Sequence, residues 1–169
     1  SDPETNNMKV LLLAILFFTG TSGHQTAGRY PVKKIYAYRQ SVSGGANNVI
    51  SEPKKENQRY FLYVHPWSGR EINIVQVWLE GEAFAFTTQN ITTPVRQKES
   101  VSLGRKRNTR TLVPGNGSNV VQIQLGEATN GAVYPAHLKR FPVLLQYEWE
   151  GKTYFLGGSW KQLPAVVRQ

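Results

Sequence analysis

The chain has 169 residues, of which 20 are Lys or Arg and 11 are Asp or Glu, and it contains no cysteine. A chain of this length corresponds to about one domain. The absence of cysteine excludes a disulfide scaffold, thiolate-ligated zinc or iron–sulfur sites and a cysteine nucleophile, so we expect an ordinary apolar core to hold the fold together.

The first segment has the pattern of a secretory signal peptide. Met8 and Lys9 precede nine apolar residues, Val10–Phe18, and Thr21 and Gly23 are small enough for the pockets of a signal peptidase. A helix of that length is roughly 14 Å long, too short for a hydrocarbon core of about 30 Å. We expect cleavage near Gly23, with Gly28 as a second possibility, and no transmembrane span. The alternatives are a retained interfacial anchor and a buried core helix.

Residues 1–28 are therefore set apart from a single predicted domain over residues 29–169. Residues 1–7 have no pattern of their own and are interpreted as an upstream prefix. Removing residues 1–28 takes away one basic residue, Lys9, and two acidic residues, Asp2 and Glu4, which leaves a body near +10. Because Asp2 is the sole aspartate, every acidic residue of that body is a glutamate.

From Arg29 onward the apolar residues recur with a period of two, and they are the β-branched and aromatic types that favour strands. Short runs bounded by Gly, Pro, Asn and Ser predict an all-β fold, an antiparallel two-sheet β-sandwich of immunoglobulin-like character with about seven to nine strands. The predicted strands are Val32–Gln40, Tyr60–His65, Glu71–Leu79, Glu82–Thr88, Thr92–Arg96, Thr111–Val113, Asn119–Leu125, Val143–Glu150 and Lys152–Leu156.

Three polar stretches, Ser41–Gln58, Gln97–Arg110 and Gly126–Arg140, are predicted to be loops. The last of them can carry a single helical turn within Tyr134–Arg140. A final edge strand is expected after Ser159, with Pro164 ending it.

Turn chemistry predicts three hairpins. Glu80-Gly81 and Glu150-Gly151 each place a glycine, which readily takes positive φ, in a two-residue loop. Pro66 and Gly69 predict a third turn, which would make residues 60–86 a meander.

Alternation of side chains assigns the core. Trp78 falls in line with Ile72 and Ile74, so we expect it to be buried between the two sheets. The predicted core residues are Ile35, Leu62, Val64, Ile72, Ile74, Trp78, Phe84, Phe86, Val121, Ile123, Leu145 and Tyr147.

Groups suited to catalysis are few. His65 and His137 have no metal-ligand spacing, and no aspartate follows residue 28 to complete a hydrolase triad. His65 is interpreted as a strand-end residue and His137 as a solvated loop residue. We predict a protein that is not an enzyme and has no catalytic residues, metal or cofactor.

Two glutamate pairs keep a glycan-acting hydrolase open as a third interpretation. Glu80 with Glu82, and Glu148 with Glu150, are two residues apart and share a strand face, as a pair of catalytic carboxyls would. Both pairs flank hairpin turns, where glutamates are commonly only solvated.

Clustered cations and numerous aromatic residues are the most informative features. The run from Arg105 to Arg110 holds four cations in six residues. In an exported protein such a loop is either an ordinary solvated basic surface or a site for polyanions, namely envelope phosphate or acidic polysaccharide, with nucleic acid bound only non-specifically. Aromatic rings can stack on sugars or cations, although core packing is their commoner role. The candidate ligand-binding residues are Arg105, Lys106, Arg107, Arg110, Lys139, Arg140, Trp67 and Trp160.

The sequence thus predicts a secreted or periplasmic, monomeric or weakly associating, non-catalytic binding module of the cell envelope that contacts polyanions or carbohydrate. The alternative is a structural or assembly module that pairs with an envelope protein by β-strand addition.

Overall fold

The computed structural model describes residues 15–16, 30–44, 58–98 and 109–168. Within these ranges the protein is all-β, which confirms that part of the predicted fold, and the only helix is one 3-10 turn, Ala136–Leu138, inside the predicted Tyr134–Arg140 turn. The strands are β1 (Ile15–Leu16), β2 (Val32–Gly44), β3 (Gln58–Pro66), β4 (Asn73–Leu79), β5 (Glu82–Thr92), β6 (Val95–Lys98), β7 (Thr109–Val113), β8 (Asn119–Thr129), β9 (Val143–Trp149), β10 (Lys152–Gly158) and β11 (Lys161–Arg168). Across the described ranges, no helix has the length and apolar character needed to cross a membrane.

Nine strands form one curled sheet in the order β1-β10-β9-β4-β5-β8-β3-β2-β11, and β6 pairs with β7 in a separate sheet of two strands. Pairing is antiparallel throughout except at the two margins, where β1 lies parallel to β10 and β11 parallel to β2. The β4–β5 and β9–β10 hairpins confirm the predicted turns. Glu80 and Gly81 have φ of 49° and 88°, and Glu150 and Gly151 have φ of 48° and 71°, as a two-residue turn of this kind requires.

The predicted meander over residues 60–86 is wrong. The turn after Pro66 does form, because the Arg70 N–H donates to the Trp67 carbonyl at 3.0 Å and Gly69 takes φ of 74°. However, β3 pairs with β2 and β8, while β4 pairs with β5 and β9. Both edges of β3 are occupied, so the chain crosses to another part of the sheet at this turn.

The main core lies inside the curl and joins side chains from β2, β3, β4, β8, β9 and β10. Eleven of the twelve predicted core residues belong to it or pack against it, and the exception is Trp78. Trp78 is buried, but with Ala83, Leu138 and Leu144 on the other side of the sheet. A register shift between Ile74 and Gln76 marks a β-bulge, which reverses the side to which later residues point.

Several predicted boundaries are also wrong. Strands β2 and β8 run on into stretches predicted to be loops, to Gly44 and Thr129. The predicted strand Thr92–Arg96 is interrupted at Thr93-Pro94, which separates β5 from β6. Pro164 does not end β11, because it lies in a register shift at the sheet margin, where its missing N–H interrupts no regular ladder.

The β6–β7 hairpin covers the outer face of β2 and β3. The Tyr38 hydroxyl donates to the Leu112 carbonyl at 2.6 Å, and the Gln97 Nε2 donates to the Gln40 Oε1 at 3.2 Å. A second core cluster forms beneath the hairpin, and it buries Tyr38 and Tyr63. The strands of the large sheet are therefore packed on two sides in this region.

Candidate functional site

The two hairpin turns that contain glutamate mark opposite ends of the large sheet. Leu79 of β4 pairs with Val143 of β9, whereas Asn73 pairs with Glu148, so the turns that follow Leu79 and Trp149 lie far apart along the strands. We call these ends the Glu80 end and the Glu150 end.

A segment of irregular backbone, residues 132–142, is fixed against the sheet at the Glu80 end. The Tyr134 hydroxyl lies 2.7 Å from the Leu138 carbonyl oxygen and 2.6 Å from that of Phe141, so it joins both sides of the 3-10 turn. Its ring meets Trp78 edge-on with 6.0 Å between ring centroids, and Leu138 is buried beneath. The segment is further tied to the β4–β5 turn, since the Glu80 N–H donates to the Pro142 carbonyl at 2.8 Å.

This segment and the Glu80 turn enclose an open cleft of about 440 Å³. Lys139 and Arg140 are both exposed and line it, together with Tyr134 and Phe141. The Arg140 guanidinium lies 5.0 Å from the centre of the Phe141 ring, a cation–π contact that orients it. The cleft therefore presents two cations on an anchored backbone, with Glu80 also in its lining.

Trp160 and Tyr60 stand beside the same turn. The Trp160 Nε1 donates to the Glu80 Oε1 at 2.9 Å, and the Trp160 and Tyr60 ring centroids are 5.0 Å apart. Burial raises the pKa of the Tyr60 hydroxyl and Glu80 raises it further, whereas Arg39 acts in the opposite direction. The Glu80 carboxylate, the Arg39 guanidinium and two aromatic rings therefore lie near one another at the Glu80 end.

Further cations follow the same end of the sheet on other strands. In the register of β2 against β3, Arg39 lies opposite Tyr60 and Gln40 lies opposite Arg59. Arg110 of β7 lies opposite Gln97 of β6, and the Gln97 side chain is hydrogen-bonded to that of Gln40. Lys161 begins β11 directly after Trp160. We define the basic rim as the residues Arg39, Arg59, Arg110, Lys139, Arg140 and Lys161.

The structure brings four of the predicted site residues to the Glu80 end, Arg110, Lys139, Arg140 and Trp160. Trp67 lies at the Glu150 end instead, with Lys33 Nζ 5.4 Å from its ring centre. Arg105, Lys106 and Arg107 lie outside the described residues, as does most of the predicted leader. The stretch that contains these three cations joins Lys98, the last residue of β6, to Thr109, the first residue of β7.

Sequence reasoning missed Arg39, Arg59, Tyr60 and Lys161. Each is an isolated residue in a strand with ordinary alternation, so no local signal separated it from a solvated surface residue. Only the register of β2 against β3 and β11 brings them together.

The Glu150 end contains a buried polar network around His65. The imidazole is 8 % exposed; its Nε2 lies 3.3 Å from the Ser118 Oγ, which lies 2.9 Å from the Thr93 Oγ1. The buried Nδ1 has no hydrogen-bond partner among the described residues. Burial lowers the pKa of His65 and nearby Lys33 lowers it further. His137 is exposed in the 3-10 turn.

A second open cleft, of about 370 Å³, lies at the Glu150 end and is lined by Glu71, Glu148 and Glu150. The Arg70 guanidinium lies 4.9 Å from the centre of the adjoining Trp149 ring, which partly offsets this negative charge. Over the ranges that the structure describes, no three His, Cys, Asp or Glu side chains are grouped so that they could hold a metal ion.

Comparison of the chain with models of known protein families, with curated proteins and with solved structures finds no match.

Proposed function

We propose that this protein is a non-catalytic binding module that contacts polyanions, envelope phosphate or acidic polysaccharide, through the basic rim. The proposal rests on the placement of cations from β2, β3, β7, β11 and the anchored 132–142 segment at one end of the sheet, on both of its faces. The basic rim places six cations at the Glu80 end beside Glu80, Glu82 and Glu127, whereas the opposite end has Lys33, Lys34, Arg70 and Lys152 beside a cleft lined by Glu71, Glu148 and Glu150.

The physical reason is the local electrostatic field. Cations gathered at one end raise the local concentration of a polyanion, and each contact releases counterions from it. Because Lys139 and Arg140 stand on a fixed backbone, little backbone freedom is lost when they bind. Trp160 and Tyr60 add flat apolar surface on which a sugar ring can stack.

Binding to heparin as a function of salt tests this proposal. We expect the K139S/R140S variant to bind more weakly and to reduce the slope of log affinity against log salt by about 2, roughly one for each cation removed. The matched control is K33S/K34S, which removes the same charge from exposed positions at the Glu150 end. Equal loss in the two variants would leave only a general effect of net charge and would contradict the basic rim.

Two further variants divide the contributions to binding. Replacing Arg105, Lys106, Arg107 and Arg110 by serine should abolish retention on heparin at moderate salt, and unchanged retention would remove that loop from the proposal.

The G157A variant keeps every charge, but its new Cβ would overlap the Phe141 ring. The ring must move, so Lys139 and Arg140 lose their positions and affinity should fall several-fold.

We also propose that the protein is exported to the periplasm or cell envelope and acts there as a monomer. The support is the leader pattern of Met8–Gly23 in the sequence. Mass spectrometry of the protein produced in an exporting host tests it, since cleavage should give a chain that begins close to His24. A full-length product retained in the cytoplasm would contradict export.

For the architecture, we propose that the curled sheet works as a two-layer sandwich. Leu62 and Val64 of β3 share a core with Val77 and Leu145, although these strands are not neighbours in the sheet. The curl also brings Gly158 of β10 against Ile35 of β2, where an added Cβ would lie 3.1 Å from the Ile35 Cγ2. Immunoglobulin-like character stays a prediction.

A further inference from the structure

The two margins of the large sheet differ in how they are protected from pairing with another chain. Strand β11 begins with exposed Lys161, and contains Pro164 within a register shift. Charges, proline and irregular register are the means by which proteins prevent an edge strand from pairing. Strand β10 pairs with β9 without a register shift, contains no proline, and carries its only charge on its first residue, Lys152.

Both faces of β10 are packed, which leaves its outer edge as the accessible part. The Tyr154 ring stacks on that of Tyr147 at 5.4 Å, and Phe155 lies 6.4 Å from Trp78, centroid to centroid, on the other face. Leu156 is fully buried. The strand is therefore held in an extended conformation before anything is added to its edge.

A short strand of the same chain already lies on this edge. Ile15 pairs with Phe155 and Leu16 with Leu156 in parallel orientation, so β1 covers two of the seven residues of β10. The segment that supplies β1 is Val10–Phe18, the aliphatic part of the predicted signal peptide. This step rests on the export proposed above: cleavage near Gly23 would remove that segment and leave the edge of β10 free.

We propose that the outer edge of β10 is an acceptor for an extended aliphatic segment of a partner protein, which adds as a parallel strand in the register of Ile15–Leu16. Main-chain hydrogen bonds would give the affinity, and the side chains of the added strand the specificity. Only the added segment would be ordered on binding, since β10 is already fixed. A second copy of this chain fits less well, because identical edges related by a two-fold axis would pair antiparallel.

A peptide added to the full chain tests the proposal. The I15P/L16P variant removes the N–H groups with which β1 can pair, and the peptide carries residues 13–17 between pairs of lysine for solubility. We expect the outward-facing amides between Tyr154 and Leu156 to exchange with solvent at least tenfold faster in the variant. The peptide should restore their protection without changing exchange in β11.

The control peptide has proline in place of Ile15 and should restore nothing. On the unaltered chain, excess spin-labelled peptide should displace β1 and broaden the β10 amide resonances, which gives a second measurement if the proline variant unfolds. Unchanged exchange in the folded variant, or broadening away from β10, would overturn the proposal. If protection of the β10 amides rose with protein concentration in the absence of peptide, the edge would bind a second copy of the chain, and the proposal would also be overturned. None of these results depends on the basic rim.

Discussion

A tyrosine-to-phenylalanine change at position 147 should make the protein more stable. Tyr147 is completely buried, and its hydroxyl has no hydrogen-bond partner among the described residues. Burial raises the pKa of this hydroxyl, and the neighbouring Tyr154 raises it further, so it remains neutral. An uncompensated buried hydroxyl costs about 1–3 kcal/mol, and Tyr147→Phe removes that cost while it keeps the ring stacked on Tyr154.

We expect a gain of about 1 kcal/mol, since some packing around the oxygen is lost together with the unfavourable desolvation. With a denaturant slope of about 2 kcal/mol per molar urea, the unfolding midpoint should rise by roughly 0.5 M. The matched change, Tyr38→Phe, should act in the opposite direction, because it leaves the buried Leu112 carbonyl without its 2.6 Å hydrogen bond. A lower midpoint for Tyr147→Phe would refute the reasoning, since the hydroxyl would then have a favourable partner.

Two further predictions concern the polar network at the Glu150 end. Since the folded pKa of His65 lies below its unfolded value of 6.5, the unfolded state binds protons more readily, and stability should fall as pH decreases below about 6.5. His65→Gln should weaken this dependence in urea melts at several pH values and His137→Gln should not; equal effects would contradict the assignment. Gly115→Ala should lower the free energy of unfolding by about 1–3 kcal/mol, because the new Cβ would overlap the buried Thr93 side chain. Gly131→Ala, which meets nothing within 4 Å, is its control, and similar midpoints for the two would contradict the overlap.

The parts of the fold that depend only on residues close together in the chain could be predicted from the sequence. The turns at Glu80-Gly81 and Glu150-Gly151 were predictable because positive φ in a two-residue loop is a local requirement. The pairing of β3 with β8 was not, because it joins Leu62 to Ile123 across sixty residues of chain. No local pattern indicates which strand pairs with the second edge of β3. The predicted meander therefore paired β3 with β4, the next strand along the chain, instead of with β8.

Side-chain alternation predicted burial better than it predicted the face of the sheet. Trp78 is buried as expected, yet it lies on the opposite side from Ile74 because a bulge interrupts the two-residue period between them. A bulge has no required sequence at this position, so strict alternation cannot detect it. The consequence is functional as well as structural, since Trp78 on this side anchors Tyr134 and the segment that presents Lys139 and Arg140.

The basic rim shows why a binding surface on a sheet is hard to find in a sequence. The run Arg105–Arg107 is recognisable in the sequence because its cations are adjacent along the chain. Arg39, Arg59 and Lys161 each lack an adjacent cation. In the folded protein adjacency is set by strand register, which places Arg39 beside Tyr60 and Lys161 beside Tyr38. A one-residue slip of β2 against β3 would turn Arg39 and its neighbours to the other face of the sheet. The interior packing of Ala37 and Leu62, a paired couple, opposes that slip, so the core of the curl also determines where the cations of the rim lie.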